Sequence, residues 1–180
     1  MSDYAYANLV APENTGIGLA EYALVAPISD IATISVPTAP FTNPGDSVTV
    51  TTAHTFKTGK KFAKFLLSPE KQSLDGKSVG DKGSQISAFE YKLFVPGLYA
   101  VALEAFAAIR NTPLIVLVPD ANCEEGVYYQ LGCDCSYAYA AGEITTGTTA
   151  SGAKGHMLSI TWNAPKLFIY DVDGGPLVYT

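Results

Sequence analysis

Charge is scarce in this sequence. Asp, Glu, Lys and Arg make up 16% of its 180 residues, against roughly 25% in an average soluble domain. A surface this poorly charged points to one that is covered in the working state. No apolar run approaches the roughly 18 residues that span a bilayer. The start, M-S-D-Y-A-Y, has no basic stretch followed by an apolar one, so no signal peptide is expected and synthesis is placed in the cytoplasm.

The residues of common catalytic and metal chemistry are few. There are two histidines, His54 and His156, one tryptophan, Trp162, and three cysteines, Cys123, Cys133 and Cys135. An odd cysteine count without a secretion signal argues for reduced thiols. Zinc would need a fourth ligand, and neither histidine lies at finger-like spacing from the Cys-x-Cys pair. A Cys–His nucleophile is formally possible, but both histidines alternate with apolar strand residues and read as satisfied, part-buried side chains. No G-x-S-x-G elbow occurs. The glycines of 142–155 precede a strand pattern rather than a phosphate-binding helix. Nothing selects a carboxylate pair: Glu124-Glu125 are adjacent on a turn, and Asp171-Val172-Asp173-Gly174 offers too few ligands for calcium. The chain is acidic and shows no recognition helix. The expectation is a protein that is not an enzyme, with no catalytic residue, metal or cofactor.

What is abundant suits sheets. Hydrophobic residues reach 48%, with 11 Tyr and 8 Phe, and 16 Gly and 11 Pro supply turns. The charge is uneven: from Lys57 to Lys92 eight lysines face four acids, while the remainder carries three basic residues and thirteen acids. A basic patch meeting an acidic one on a neighbouring copy fits this pattern, as does an ordinary solvated lysine-rich loop.

Along the chain, 1–20 reads as an arm and 21–180 as a single domain. Residues 21–27 form an apolar strand. Prolines 37, 40 and 44 make 28–44 a loop with short extended pieces, closed by an Asn43-Pro44-Gly45-Asp46 turn. Residues 47–56 alternate, with Val48, Val50, Thr52, His54 and Phe56 on one face, and predict one strand. Ala63, Phe65 and Leu67 share a face of the next. Residues 68–83 (S-P-E-K-Q-S-L-D-G-K-S-V-G-D-K-G) are polar and aperiodic, and predict a long hairpin loop with an interaction role. Phe89, Tyr91, Leu93 and Val95 alternate after it.

Leu98, Val101, Ala102, Ala105, Phe106 and Ile109 recur at helical spacing and predict a helix over about 97–110, packed on the sheet and stopped by Asn111 and Pro113. L-I-V-L-V at 114–118 predicts a strand buried on both faces, between helix and sheet. Residues 127–131, 136–143, 156–162 and 167–170 complete the strands, with a turn at 173–176. The fold class expected is mainly β (α+β), an antiparallel β-sandwich or barrel flanked by one helix.

From Leu114 onward, P-L-I-V-L-V-P-D, an acidic turn, V-Y-Y-Q-L-G, T-T-G-T-T-A-S-G-A-K-G and H-M-L-S-I-T-W follow the helix. In that order the sequence resembles the major tail tube proteins of long-tailed bacteriophages, nearest to those of Bacteroidetes-type hosts. The resemblance covers about residues 20–170 as an order of elements. It is specific over 145–162, and Cys133-Asp134-Cys135 is no part of it. It implies a virion structural protein made in the host cytoplasm. Its hexameric rings would stack into the tail tube that conducts double-stranded DNA at ejection, without sequence recognition. The implied partners are further copies of the chain and the tape-measure, terminator and baseplate or tip proteins, with no membrane. By position, Lys71, Asp75, Lys77, Asp81 and Lys82 of the 68–83 loop would touch the adjacent ring, and the arm and C-terminus would bridge neighbours. An acidic lumen repelling phosphate is the companion expectation. Other readings are a head decoration or tail-tip protein, or a carbohydrate-binding β-sandwich using Trp162 and surface tyrosines as platforms.

Overall fold

In the computed structural model, which describes residues 18–69, 71–121, 127–147 and 152–179, the chain is mainly β with one helix. The strands are β1 Tyr22–Pro27, β2 Ile31–Thr33, β3 Thr49–Val50, β4 Thr55–Phe56, β5 Ala63–Leu66, β6 Ser73–Val79 and β7 Ile86–Pro96. After the helix α1 Ala100–Ile109 come β8 Leu114–Pro119, β9 Val127–Leu131, β10 Tyr139–Thr145, β11 Gly155–Ala164 and β12 Phe168–Asp171. A six-stranded sheet has the order β3-β12-β9-β8-β1-β5, a four-stranded sheet the order β10-β11-β7-β6, and β2 pairs with β4 alone. All pairings are antiparallel except β12 with β3.

Alternation explains how the two large sheets meet. On β7, Tyr91, Leu93 and Val95 turn inward; on β11, Leu158, Ile160, Trp162 and Ala164 do the same. They pack against Ala23 and Val25 of β1, Leu114, Val116 and Val118 of β8, and Leu131 of β9. Each fully buried aliphatic or aromatic side chain of this kind contributes about 1.5–3 kcal/mol relative to exposure. Trp162 sits at the centre, 1% exposed, with its ring 5.6 Å from both Phe89 and Phe168 and its Nε1–H donated to Ser136 O at 2.9 Å.

The six-stranded sheet is buried on its other face too. Leu24, Ala26, Ile115, Leu117 and Tyr170 form a second core with Ile31 of β2, Val50, Phe62 and Val172. β8 is thus buried along its whole length, as its continuous apolar run requires. Its second face lies under the β2–β4 layer and Phe62, however, and not under the helix.

Three further expectations are corrected. The strand expected over 47–56 is two short ones, β3 and β4, in different sheets. Alternation reported the buried face correctly for Val50 and His54, but Thr52 is exposed and 51–54 leave the ladder. The helix begins at Ala100, because Pro96 and a left-handed Gly97 (φ 90°) hold the preceding residues out of helical geometry. It ends at Ile109, before Asn111 at φ 58°. Within the expected stripe Ala102 and Ile109 are buried, and Ala105 and Phe106 partly so; Leu98 precedes the helix and Val101 is 72% exposed. Phe106 meets Phe65 of β5 at 5.7 Å and the His156 ring of β11 at 4.1 Å, so α1 spans from one sheet to the other.

The third correction concerns the long loop. Residues 73–79 of the expected 68–83 loop are strand β6, paired with β7 from Ser73↔Lys92 to Val79↔Ile86. An edge strand that buries little carries no apolar alternation, so it passes for loop in the sequence. Gln72 anchors its start: Nε2 donates to Leu19 O at 3.1 Å and Ala20 O at 2.8 Å, and Oε1 accepts the Tyr91 hydroxyl at 3.0 Å. The true turn is 80–85, closed by Ser84 N–H to Asp81 O at 3.0 Å.

Candidate assembly surface

The four-stranded sheet ends in two strands with unused hydrogen-bonding edges. β6 and β10 are each seven residues long. No described strand pairs with the outer edge of β6; on β10, Arg110 bridges Ala140 and leaves 141–145 open among the described residues. Exposed edges of this length are templates for a further strand.

The outward face of the same sheet follows from the registers. Tyr139, Thr161, Glu90 and Asp75 form one row, and Ala141, Ser159, Lys92 and Ser73 the next. Glu143, Met157 and Phe94 form a third, with Lys71 Nζ 4.7 Å over the Phe94 ring. Side chains here are mostly small or polar, unlike the opposite, buried face. Glu90 accepts Ser159 Oγ–H at 2.7 Å and pairs with Lys92 at 3.4 Å. The Ser159 hydrogen bond, above all, holds the Glu90 carboxyl below the usual carboxylate range. Across the strands of this face stand Asp75, Glu90 and Glu143 against Lys77 and Lys92, a nearly neutral balance.

The five residues expected to form one contact loop are therefore divided. Asp75 and Lys77 lie on the outward face of β6, Lys71 precedes that strand, and Asp81 and Lys82 belong to the 80–85 turn. A second exposed surface was missed. Val101 and Leu103 of α1, 72% and 42% exposed, lie near Leu66 and Tyr99 on one side and Ile144 of β10 on the other. The signal was present: A-V-A-L-E-A-F-A-A-I has one charged residue, Glu104, and a helix apolar all round is ordinarily covered.

Both histidines are buried as expected, but neither is fully satisfied. His54 Nδ1 accepts Ser35 N–H at 2.9 Å and its ring stacks on Tyr170 at 5.0 Å. Its Nε2 and the nearby Gln130 Oε1 have no partner, and neither does His156 Nε2. Burial pushes the His54 imidazole down to about 4, and His156 is lowered for the same reason. Cys135 Sγ–H donates to Asp134 Oδ1 at 3.2 Å rather than to a histidine. Trp162, proposed as a glycan platform in one reading, is sealed in the core. Cys123, Glu124, Glu125, most of the 1–20 arm and the centre of the 145–155 loop lie outside the described residues.

The chain matches no protein-family model, and neither a curated protein nor a solved structure matches it. No helix among the described residues is long and apolar enough to cross a membrane.

Proposed function

We propose that this chain is a virion structural protein, the subunit of hexameric rings that stack into a phage tail tube. The observation that carries the reading is the four-stranded sheet open at both edges. Joining β10 of one copy to β6 of the next would extend the four-stranded sheet around a ring and remove both of its exposed edges. Strands number about 16–18 in barrels that already enclose an aqueous channel. Six copies of a four-stranded sheet exceed that, so the lumen would be wide enough to conduct a duplex. The outward face, mostly small or polar with Tyr139 and Met157 exposed on it, suits a lumen wall, and the two-core body behind it would hold the wall rigid. The near balance of Asp75, Glu90 and Glu143 with Lys77 and Lys92 replaces the acidic-lumen expectation. Such a wall neither grips phosphate by counterion release nor repels it strongly. The 80–85 turn, carrying Asp81 and Lys82, would reach an adjacent ring, and tape-measure, terminator and tip proteins would be the further partners.

The test is negative-stain electron microscopy of the purified protein, concentrated near neutral pH. Hollow tubes or rings with sixfold end views are the expected result. A monodisperse monomer up to the solubility limit would move the reading to a decoration or glycan-binding module.

A further inference from the structure

The connection from β9 to β10 brings three potential ligand atoms together. The thiols of Cys133 and Cys135 and a carboxylate oxygen of Asp134 all lie within 4.8 Å of one another. Cys133 is 8% exposed, whereas Cys135 and Asp134 face solvent. The cluster therefore has one sheltered sulfur and an open approach.

The backbone that carries these groups is fixed by the fold. Cys133 N–H donates to Ser136 O at 2.8 Å, closing the turn. The same Ser136 O accepts Trp162 Nε1–H at 2.9 Å, and Ser136 Oγ donates to Asn163 O at 2.8 Å. Before the turn, Gly132 has φ 97°, and a Cβ there would stand 2.6 Å from Leu114 O. A turn held from β8 and β11 in this way spends little further entropy on ordering its side chains around a ligand. The charges also point to a cation. Once ionised, two thiolates and a carboxylate on successive residues repel one another, and among the described residues no lysine or arginine pairs with Asp134.

We propose that Cys133, Asp134 and Cys135 form a binding site for a thiophilic cation of the zinc class, held by two thiolates and one carboxylate oxygen with water in the remaining position. Two thiolates select a soft or borderline ion over magnesium or calcium. A tetrahedral ion with Zn–S bonds of ~2.3 Å holds its sulfurs roughly 3.8 Å apart, within reach of side-chain rotation from the observed cluster. Three protein ligands and a water make a complete shell, so the absence of a finger-spaced histidine is no obstacle. Binding releases two thiol protons to solvent, and affinity rises with pH. The inference stands independently of the assembly reading.

The test is titration of the fully reduced, full-length protein with Cd²⁺, followed by the ultraviolet thiolate-to-cadmium charge-transfer band. Saturation at one equivalent is expected, with displacement by Zn²⁺ and a higher melting temperature for the zinc-loaded protein. Cys133→Ser and Cys135→Ser should each abolish stoichiometric binding, Asp134→Asn should weaken it about tenfold, and Cys123→Ser should leave it unchanged. A folded wild-type protein without the band at stoichiometric Cd²⁺ would overturn the proposal. So would a band that depends on Cys123, or purified protein in which Cys133 and Cys135 are joined as a disulfide.

Discussion

His54 ties folding to pH in a way that can be worked through. The imidazole is 3% exposed and its Nδ1 accepts Ser35 N–H, so the neutral ring carries its proton on Nε2, near Gln130, and a second proton on Nδ1 would break the Ser35 hydrogen bond. The folded-state value is about 4 against 6.5 for an unperturbed side chain. A depressed histidine takes up its proton more readily in the unfolded chain, so its cost is absent well above 6.5 and grows as pH falls towards 4. Linkage between these two values gives a loss of roughly 1.3 kcal/mol on going from pH 7.5 to pH 5.5. Asp46 and Glu90 act in the same direction, since both carboxyls are held low in the fold. Asp46 is lowered mainly by Asn43 N–H and Thr42 N–H, and Glu90 mainly by Ser159. Their windows open only as pH falls to about 4.5 and below, so pH 5.5 isolates the histidines. The assay is denaturant unfolding of monomer at both pH values, for wild type and His54→Gln. The variant is expected to be less stable at pH 7.5 but to lose about 1.3 kcal/mol less between the two conditions. Parallel pH dependences within 0.5 kcal/mol would refute the assignment; His156, present in both proteins, cancels.

Two further predictions follow from packing and backbone geometry. Leu117→Ala opens the second core and should cost about 2–5 kcal/mol, whereas Val101→Ala, on the exposed face of α1, should stay within about 0.5 kcal/mol; both are read by chemical denaturation. Gly132→Ala places a Cβ 2.6 Å from Leu114 O at φ 97°, and should lower stability by more than about 1 kcal/mol in a thermal melt.

The parts of the fold legible in the sequence are those in which burial alternates along one strand. β7 and β11 show their inward residues at period two, and β8 its two buried faces, because each has core on the side the pattern names. Periodicity reports faces and not partners. It could not divide Val50 from Thr55 into separate sheets, nor place Phe62 beside Val178. β6 was invisible for the opposite reason: S-L-D-G-K-S-V keeps mostly polar side chains outward, and its strand identity comes from β7 and from Gln72. The open edges of β6 and β10 had no sequence signal, since an edge is defined by which neighbour is missing. Cys133, Asp134 and Cys135 were visible as residues, but their convergence depends on a turn fixed by Trp162 and Asn163 about thirty positions away.

The parallel pairing of β3 with β12 sets a clock on synthesis. Thr49 and Val50 find their strand partners only at Ile169 and Tyr170, about 120 residues later. At 5–20 residues per second, roughly 6–24 s separate the emergence of the two strands. Until Tyr170 arrives, Leu24, Ile115 and Leu117 lack one wall of the second core. A nascent chain of this design stays incompletely folded until its last strand is made, which delays the moment at which it can meet another copy in a finished state.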